Sequence, residues 1–428
     1  MSEFQPYRPA RPPGLPADRV LPVASRPRLR SALAWAAVAL LTGGCAFLSV
    51  AAITRVTGVL GVVTGIALAA VPVFPVVAAF LWLDRYEAEP PSLLAFAFAW
   101  GAGVASFGAL VVNTASLQAI HDAGGDPTTT ALVVAPVVEE ALKGAAVLLI
   151  VLLRRREFDG VVDGLVYAGL AGIGFAFVEN VLYLGRGLAT GGGPGLATVF
   201  VVRCLVSPFA HPLFTAATGV ALGLAARARR PGPRVLLPIA GFALAVGLHA
   251  AWNLSALSGL DGFLGVYLLV QAPIFAGCVG LAVLARRREG VLIARHLAVY
   301  ERTGWLTRAE TAMLASLPTR RDARGWAART GGRRAYEAMR DFQEFGSELA
   351  FLRERMVRGS APPESRSHEL ALLAAMSAQR ARFMPAPRAA QVAGDPVRDV
   401  DFAHPHRPVP EVPDAPASRL SGGPGPQA

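Results

Sequence analysis

The chain has 428 residues, 53% of them hydrophobic and 17% charged, with a formal net charge of +11. So apolar a composition excludes an ordinary soluble globular protein and points to the bilayer. Its three cysteines, Cys45, Cys204 and Cys278, have no metal-ligand spacing and suggest no disulfide framework.

Residues 1–31 are rich in Pro and Arg and read as a disordered N-terminal segment. Eight apolar segments of spanning length follow, near 32–54, 58–83, 92–114, 130–153, 160–185, 196–226, 235–257 and 263–285. The sixth is long enough to tilt or break. Gly and Pro are frequent inside them, as packed membrane helices tolerate. The first is too long for a cleavable signal peptide and has no distinct small-x-small site. The fold class expected is therefore all-α: a polytopic membrane protein with about eight transmembrane helices over 32–285. Residues 286–384 turn polar with helical periodicity, as in TGGRRAYEAMRDFQEFGSELAFLRERM, with Gly331 and Gly332 near a helix start. They are expected to form a C-terminal helical extension in the cytoplasm, with His368 and Glu369 on a solvated helix face. Residues 385–428, rich in Pro, Asp and Ala, read as a disordered tail.

Arginine placement sets the expected orientation. The first 30 residues carry six Arg, and the connections 84–91, 154–156, 227–234 and everything after 286 fall on the same side. The opposite connections, 55–57, 115–129, 186–195 and 258–262, hold only Arg55 and Arg186 as basic residues. Both termini are thus expected in the cytoplasm. The basic flanks suit anionic headgroups. Because the arginines flank spans and dot a tail, no nucleic-acid partner is expected.

The fourth segment contains VVEEALKGAAVLLIV, with Glu139, Glu140 and Lys143 inside an apolar run. An ionisable side chain at bilayer depth costs on the order of 2.5–3.5 kcal/mol and usually faces a cavity or a partner. Glu139 and Lys143, four apart, share a helix face and could pair, which leaves Glu140 unexplained. Lys143 is the only lysine among the 41 basic residues of the chain. A compact ammonium and a planar guanidinium are not interchangeable, so this position makes a specific demand. The fifth segment adds Phe175, Glu179 and Asn180 in GFAFVENVLYL. The sixth adds His211 in SPFAHPLFTAATG, and the seventh adds His249 and Asn253 in GLHAAWN. With the orientation above, these residues fall in the outer half of the bilayer or near its midplane, where they could converge on one pocket.

Peptide-bond hydrolysis uses such a set. A carboxylate activates water as general base, a His holds that water or binds a metal that acidifies it, and a second His with an Asn stabilises the oxyanion. Proton- or ion-coupled transport uses buried Glu and His as well and is the alternative, although no inverted repeat is visible.

EEALK, GFAFVEN, HPLFTAATG and HAAWN, in this order, together with LDRYEAEPP at 83–91, resemble the PrsW family of intramembrane proteases. That family belongs to a superfamily with the CAAX-prenyl endopeptidases and bacteriocin-processing enzymes. The resemblance covers roughly residues 80–260. It implies a multi-span helical protease of the bacterial cytoplasmic membrane whose substrate is a membrane protein, an anti-sigma factor in the best-described members. Glu139 and Glu140 match the paired glutamates and Lys143 the basic residue after them. Glu179 stands where the CAAX relatives carry a His. His211 matches the third motif, and His249 with Asn253 the fourth, which resembles an oxyanion-stabilising pair. The resulting expectation is catalysis by Glu139, Glu140, His211 and Glu179, orientation of the carbonyl by His249 and Asn253, and support from Lys143, Asn180 and Phe175. Zn²⁺ held by ligands among Glu140, Glu179, His211 and His249, and a metal-free glutamate mechanism, both stay open. The chain has no HExxH, GxGD or GxSG motif, which argues against the other common intramembrane protease classes.

Overall fold

A computed structural model describes residues 28–384 apart from 87, 155–157, 159, 229 and 360. The disordered termini expected at 1–31 and 385–428 fall outside the described residues, save for the first turn of α1. The described residues form helices and no strands. In chain order these are α1 (Arg28–Leu83), α2 (Pro91–Trp100), α3 (Ser106–Asp122), α4 (Ala135–Leu153), α5 (Val161–Phe200), α6 (Ala210–Arg227), α7 (Pro231–Leu257), α8 (Gly259–Val266), α9 (Ala272–Arg302), α10 (Arg308–Leu314), α11 (Leu317–Arg358) and α12 (Ser365–Phe383). Short π-helical turns at Gly101–Ala105, Thr130–Val134, Val201–Val206 and Tyr267–Gln271 lead into α3 and α4, follow α5 and lead into α9.

All eight apolar segments are helical, and the chain is an all-α polytopic membrane protein. Five helical stretches among the described residues are long and apolar enough to cross a bilayer. The fourth segment, α4 with its π-turn, is not among them, because Glu139, Glu140 and Lys143 interrupt it. Two expected connections are corrected. Residues 55–57 and most of 186–195 are helical, because a single glycine at positive φ is enough to turn the chain. Gly58 (φ 73°) divides α1, and Gly192 (φ 58°) divides α5. A straight helix would hold Trp35 and Phe80 about 68 Å apart, yet both pack on one apolar cluster. Helix α1 is therefore a hairpin folded at Gly58. The sixth segment does break: its helix is interrupted at Ser207–Phe209 before α6 begins.

Helix α5 forms the centre, buried almost without interruption from Val162 to Gly185. Lipid offers no hydrophobic drive between helices, so close backbone approach and dispersion must hold them. A Cβ on Gly164 would lie 2.1 Å from the carbonyl oxygen of Gly219 in α6, and one on Gly172 would lie 2.9 Å from that of His211. These contacts seat α6, and with it His211, directly on α5. Apolar residues on the outer faces stay exposed, among them Leu40, Phe47, Leu60, Phe74, Leu236, Ile239 and Leu269. A row of this kind is suited to lipid rather than to water.

Residues beyond the bilayer segments build a second apolar core from Ile293, Leu297, Leu314, Phe342, Leu349 and Met376. Helix α9 runs unbroken from the membrane part into it. Gly332 (φ 66°) divides α11, so a helix does start where the Gly pair suggests. Glu369 is not on a solvated face. It is 2% exposed and accepts from Tyr300, Arg353 and Arg366, because α12 packs that side against α9 and α11. Two links join this part to the bundle. Tyr86 donates to the Ala315 carbonyl (3.1 Å), and Arg227 at the end of α6 pairs with Glu354 of α11.

Substituting Gly219→Val should push α5 and α6 apart and lower the thermal midpoint in detergent, whereas Gly247→Ala, facing open space, should leave it unchanged. A second expectation concerns Asp84, just past α1. Burial, with the Asp163 carboxylate adding to it, pushes its carboxyl up from 3.8 to about 7 despite the Glu89 N–H that it accepts. A folded-state pKa above the unfolded one gives stability that is full below about 3.8 and lost as pH rises towards 7. The thermal midpoint should therefore fall between acidic and neutral pH by a component missing in Asp84→Asn.

Candidate active site

The charged and imidazole side chains of α4, α5, α6 and α7 meet in one buried cluster. Glu139 and Glu140 are consecutive, so they splay across adjacent faces of α4, and Lys143 one turn later reaches both. The Lys143 ammonium, wholly buried, lies 2.5 Å from Glu140 Oε1 and 3.9 Å from Glu139 Oε2. It also lies 3.1 Å from His211 Nδ1 and over the Phe175 ring, 4.4 Å from its centroid. An arginine fork could not make these four contacts from one point.

Proton positions follow from the partners. An ammonium only donates, so His211 Nδ1 accepts from Lys143, and a neutral His211 then carries its proton on Nε2, 2.7 Å from Glu179 Oε2. A carboxylate only accepts, so His249 Nδ1, 3.0 Å from Glu140 Oε1, carries the proton there. The lone pair of His249 Nε2 then faces Glu139 Oε2 across 3.7 Å. Glu139 Oε2 is buried and accepts no hydrogen bond. With Glu139 ionised and His249 neutral, two acceptors face each other, and a shared proton or a cation would fill the space between them. Around this gap Asn113 donates to Glu139 Oε1 (3.1 Å) and Thr215 to Glu140 Oε2 (3.0 Å). The two imidazole rings meet edge to face, 5.1 Å between centroids.

Glu179 is held by a residue that the sequence reading passed over. Arg203, in the π-turn after α5, pairs with Glu179 and donates through Nε to Asn180 Oδ1 (2.8 Å). Its signal was available: an arginine within an apolar run is subject to the same cost argument as Lys143. Asn113 and Thr215 carry no such signal, since short polar side chains are common in membrane helices. Asn253 lies apart from the carboxylates. Its Nδ2 donates to the Ala131 carbonyl (2.8 Å), which ties α7 to the π-turn ahead of α4. Of the expected residues, Glu139, Glu140, Lys143, Phe175, Glu179, His211 and His249 are thus brought together, with Asn180 attached through Arg203.

The donor set fits a metal ion. Atoms of Glu139, His211 and His249 lie within 4.8 Å of one another. Glu139 is the carboxylate in that group, whereas Glu140 contacts Lys143, Thr215 and His249, and Glu179 pairs with Arg203. Three carboxyl groups face two fixed cations, Lys143 and Arg203. A crevice of about 10 Å³ bordered by Asn180, Arg203, Ser207, His211 and Trp252 has room for about one water.

Residues 89–278 match the family model described as PrsW family intramembrane metalloprotease. No curated protein and no solved structure gives a match. The matched segment contains every residue of the cluster, from Asn113 through Glu139, Glu140, Lys143, Glu179, Arg203 and His211 to His249. Over that segment the chain is similar to the PrsW family of intramembrane metalloproteases, which supports a peptidase, and its long apolar helices fit a multi-pass membrane protein.

Proposed function

We propose that the chain is an endopeptidase that hydrolyses a peptide bond in or near the membrane segment of a single-span membrane protein. The family resemblance suggests an anti-sigma factor as substrate and a bacterial cytoplasmic membrane as location, and the arginine distribution supports both termini inside. The observation that carries the reading is the convergence of Glu139, His211 and His249, whose ligand atoms lie within 4.8 Å of one another, on a buried Glu139 Oε2 that accepts no hydrogen bond. Such a site is stable when a cation or a water proton occupies it.

Glu139, His249 and His211 are the residues that would hold a divalent metal. When bound, the metal supplies Lewis acidity at the scissile carbonyl and lowers the pKa of water. For His211 this means exchanging one of its present partners, Lys143 or Glu179. Glu140 acts through His249. It accepts the Nδ1 proton, fixes the tautomer and aims the Nε2 lone pair at Glu139, as carboxylates behind metal-binding histidines do. In the metal-free site, where Oε2 is not a ligand, Glu139 Oε2 takes the proton of the attacking water as the water oxygen bonds to the carbonyl carbon. The proton passes to the amide nitrogen as the C–N bond breaks. Lys143 and Arg203 hold Glu140 and Glu179 in place.

The first test uses purified protein in detergent with a library of single-span membrane peptides. Glu139→Gln should lower cleavage by about 10²–10⁴-fold, the range for loss of a general base. Cleavage at wild-type rate by this variant would overturn the assignment. Metal content by plasma mass spectrometry should show about one divalent ion per chain in wild type and a loss in His249→Ala. Equal occupancy in that variant would remove His249 from the ligand set. Lys143→Met should destabilise the fold by about 3–5 kcal/mol, the cost of leaving a buried carboxylate unpaired. Lys143→Arg should not restore activity, since the fork cannot reach Glu140 and His211 together.

A further inference from the structure

At the Asp84 end of the bundle a cavity of about 1380 Å³ opens between the membrane helices and helices α11 and α12. Leu81, Trp82 and Leu94 form its membrane-side wall. Arg85, Arg286, Arg320, Arg321 and Arg324 line it as well, and none of these five forms an ion pair with a carboxylate among the described residues. Six acids share the cavity with them. Asp84 accepts from the Glu89 N–H (2.9 Å), Glu89 from Tyr167 (2.6 Å) and Asp163 from the Gly160 N–H (2.9 Å), while Glu344 pairs with Arg340 (3.4 Å) and Glu348 with His368 (3.0 Å), and Glu364 lies at the α12 end.

Arg320 makes the imbalance acute. It is only 4% exposed, and its donors go to neutral acceptors: the Leu314 carbonyl (2.7 Å), Ser347 Oγ (2.7 Å) and the Tyr86 carbonyl (3.4 Å). The Glu289 and Glu344 carboxylates act on this guanidinium through space but offset its burial only in part. Arg320, Arg321 and Arg324 also sit in the first two turns of α11, whose first turn has no acidic residue and whose Ser316 makes no side-chain cap. Cations there oppose the helix dipole, and an anion relieves both conflicts.

The position of the cavity names the anion. Arg286 stacks on Trp82 at 3.5 Å, an aromatic–arginine pair of the kind that marks the bilayer surface. Leu81 and Trp82 are exposed on the lipid-facing side. The volume exceeds the roughly 300–1,000 Å³ of ordinary small-molecule pockets, so a lone phosphate would leave most of it empty. We propose that this cavity binds the phosphate of an anionic phospholipid head group, with its acyl chains running along α1 and α2. The site does not depend on the peptidase reading.

The experiment is thermal unfolding of the full chain in neutral detergent, titrated with phosphatidylglycerol, phosphatidylcholine or inorganic phosphate. Phosphatidylglycerol should raise the midpoint, and the other two should not. The double variant Arg321→Gln, Arg324→Gln should weaken the phosphatidylglycerol response about tenfold, the loss of one or two charge-assisted contacts. Arg329→Gln, Arg334→Gln removes the same charge outside the cavity and should leave the response intact. Equal weakening by both pairs would reduce the effect to net charge and overturn the site. An equal response to inorganic phosphate would overturn the lipid assignment, and no response to phosphatidylglycerol would overturn the proposal outright. If the first pair shows no cooperative transition, Arg85→Gln serves in its place and should weaken the response. An unchanged response in Arg85→Gln would overturn the site.

Discussion

The buried ammonium of Lys143 is the point on which the membrane part turns. It satisfies Glu140, faces Glu139, and donates to His211 Nδ1. From that one contact the proton of His211 is driven to the nitrogen facing Glu179, and Glu179 in turn gathers Arg203. The remaining imidazole, His249, is oriented by Glu140 on the other side. The two fixed cations hold two of three carboxyl groups, and the third, Glu139, keeps an oxygen with no donor. In a medium of low dielectric such an oxygen is a strong acceptor for a proton or a cation. The site is a charge network with one carboxyl oxygen left open, and that oxygen lies where the chemistry is proposed.

Such a network survives in a bilayer only if the backbone around it is held rigidly. The small residues of α5 provide this. Without Cβ atoms at Gly164, Gly172 and Gly219, α6 lies directly on α5, and His211 cannot drift from Glu179. The hairpin at Gly192 then returns the chain through a π-turn that carries Arg203 back beside the residues it left one helix earlier. Unwound or π-helical backbone at this depth is tolerated where it lines a polar site rather than lipid.

Helix α6 carries His211 and Thr215 at one end and Arg227 at the other. Arg227 is gripped by Glu354, itself held by Arg358 at 2.9 Å. The extension is therefore fastened to the same helix that positions the imidazole. It is fastened again at Tyr86, between α1 and α2. The arginine-lined cavity lies between these two attachments, so an anion bound there would bear on both faces of the joint.

The existence of the spans, their all-helical class and most residues of the site were determined by the sequence alone. The reason is energetic: apolar runs of spanning length have only the helix available to them in lipid, and ionisable residues inside such runs are too costly to be incidental. Lys143, as the only lysine, announced itself in the same way. What only the tertiary structure decided depends on distances between helices, which no period in one helix encodes. It replaced two expected connections by single-glycine turns and buried Glu369. It tied Asn253, expected to orient the scissile carbonyl, to the Ala131 carbonyl. It also chose Glu139, not Glu140, as the carboxylate left open. The two glutamates are neighbours in sequence with the same chemistry. They differ because the 100° step between consecutive helical residues turns one towards Lys143 and Thr215 and the other towards the gap.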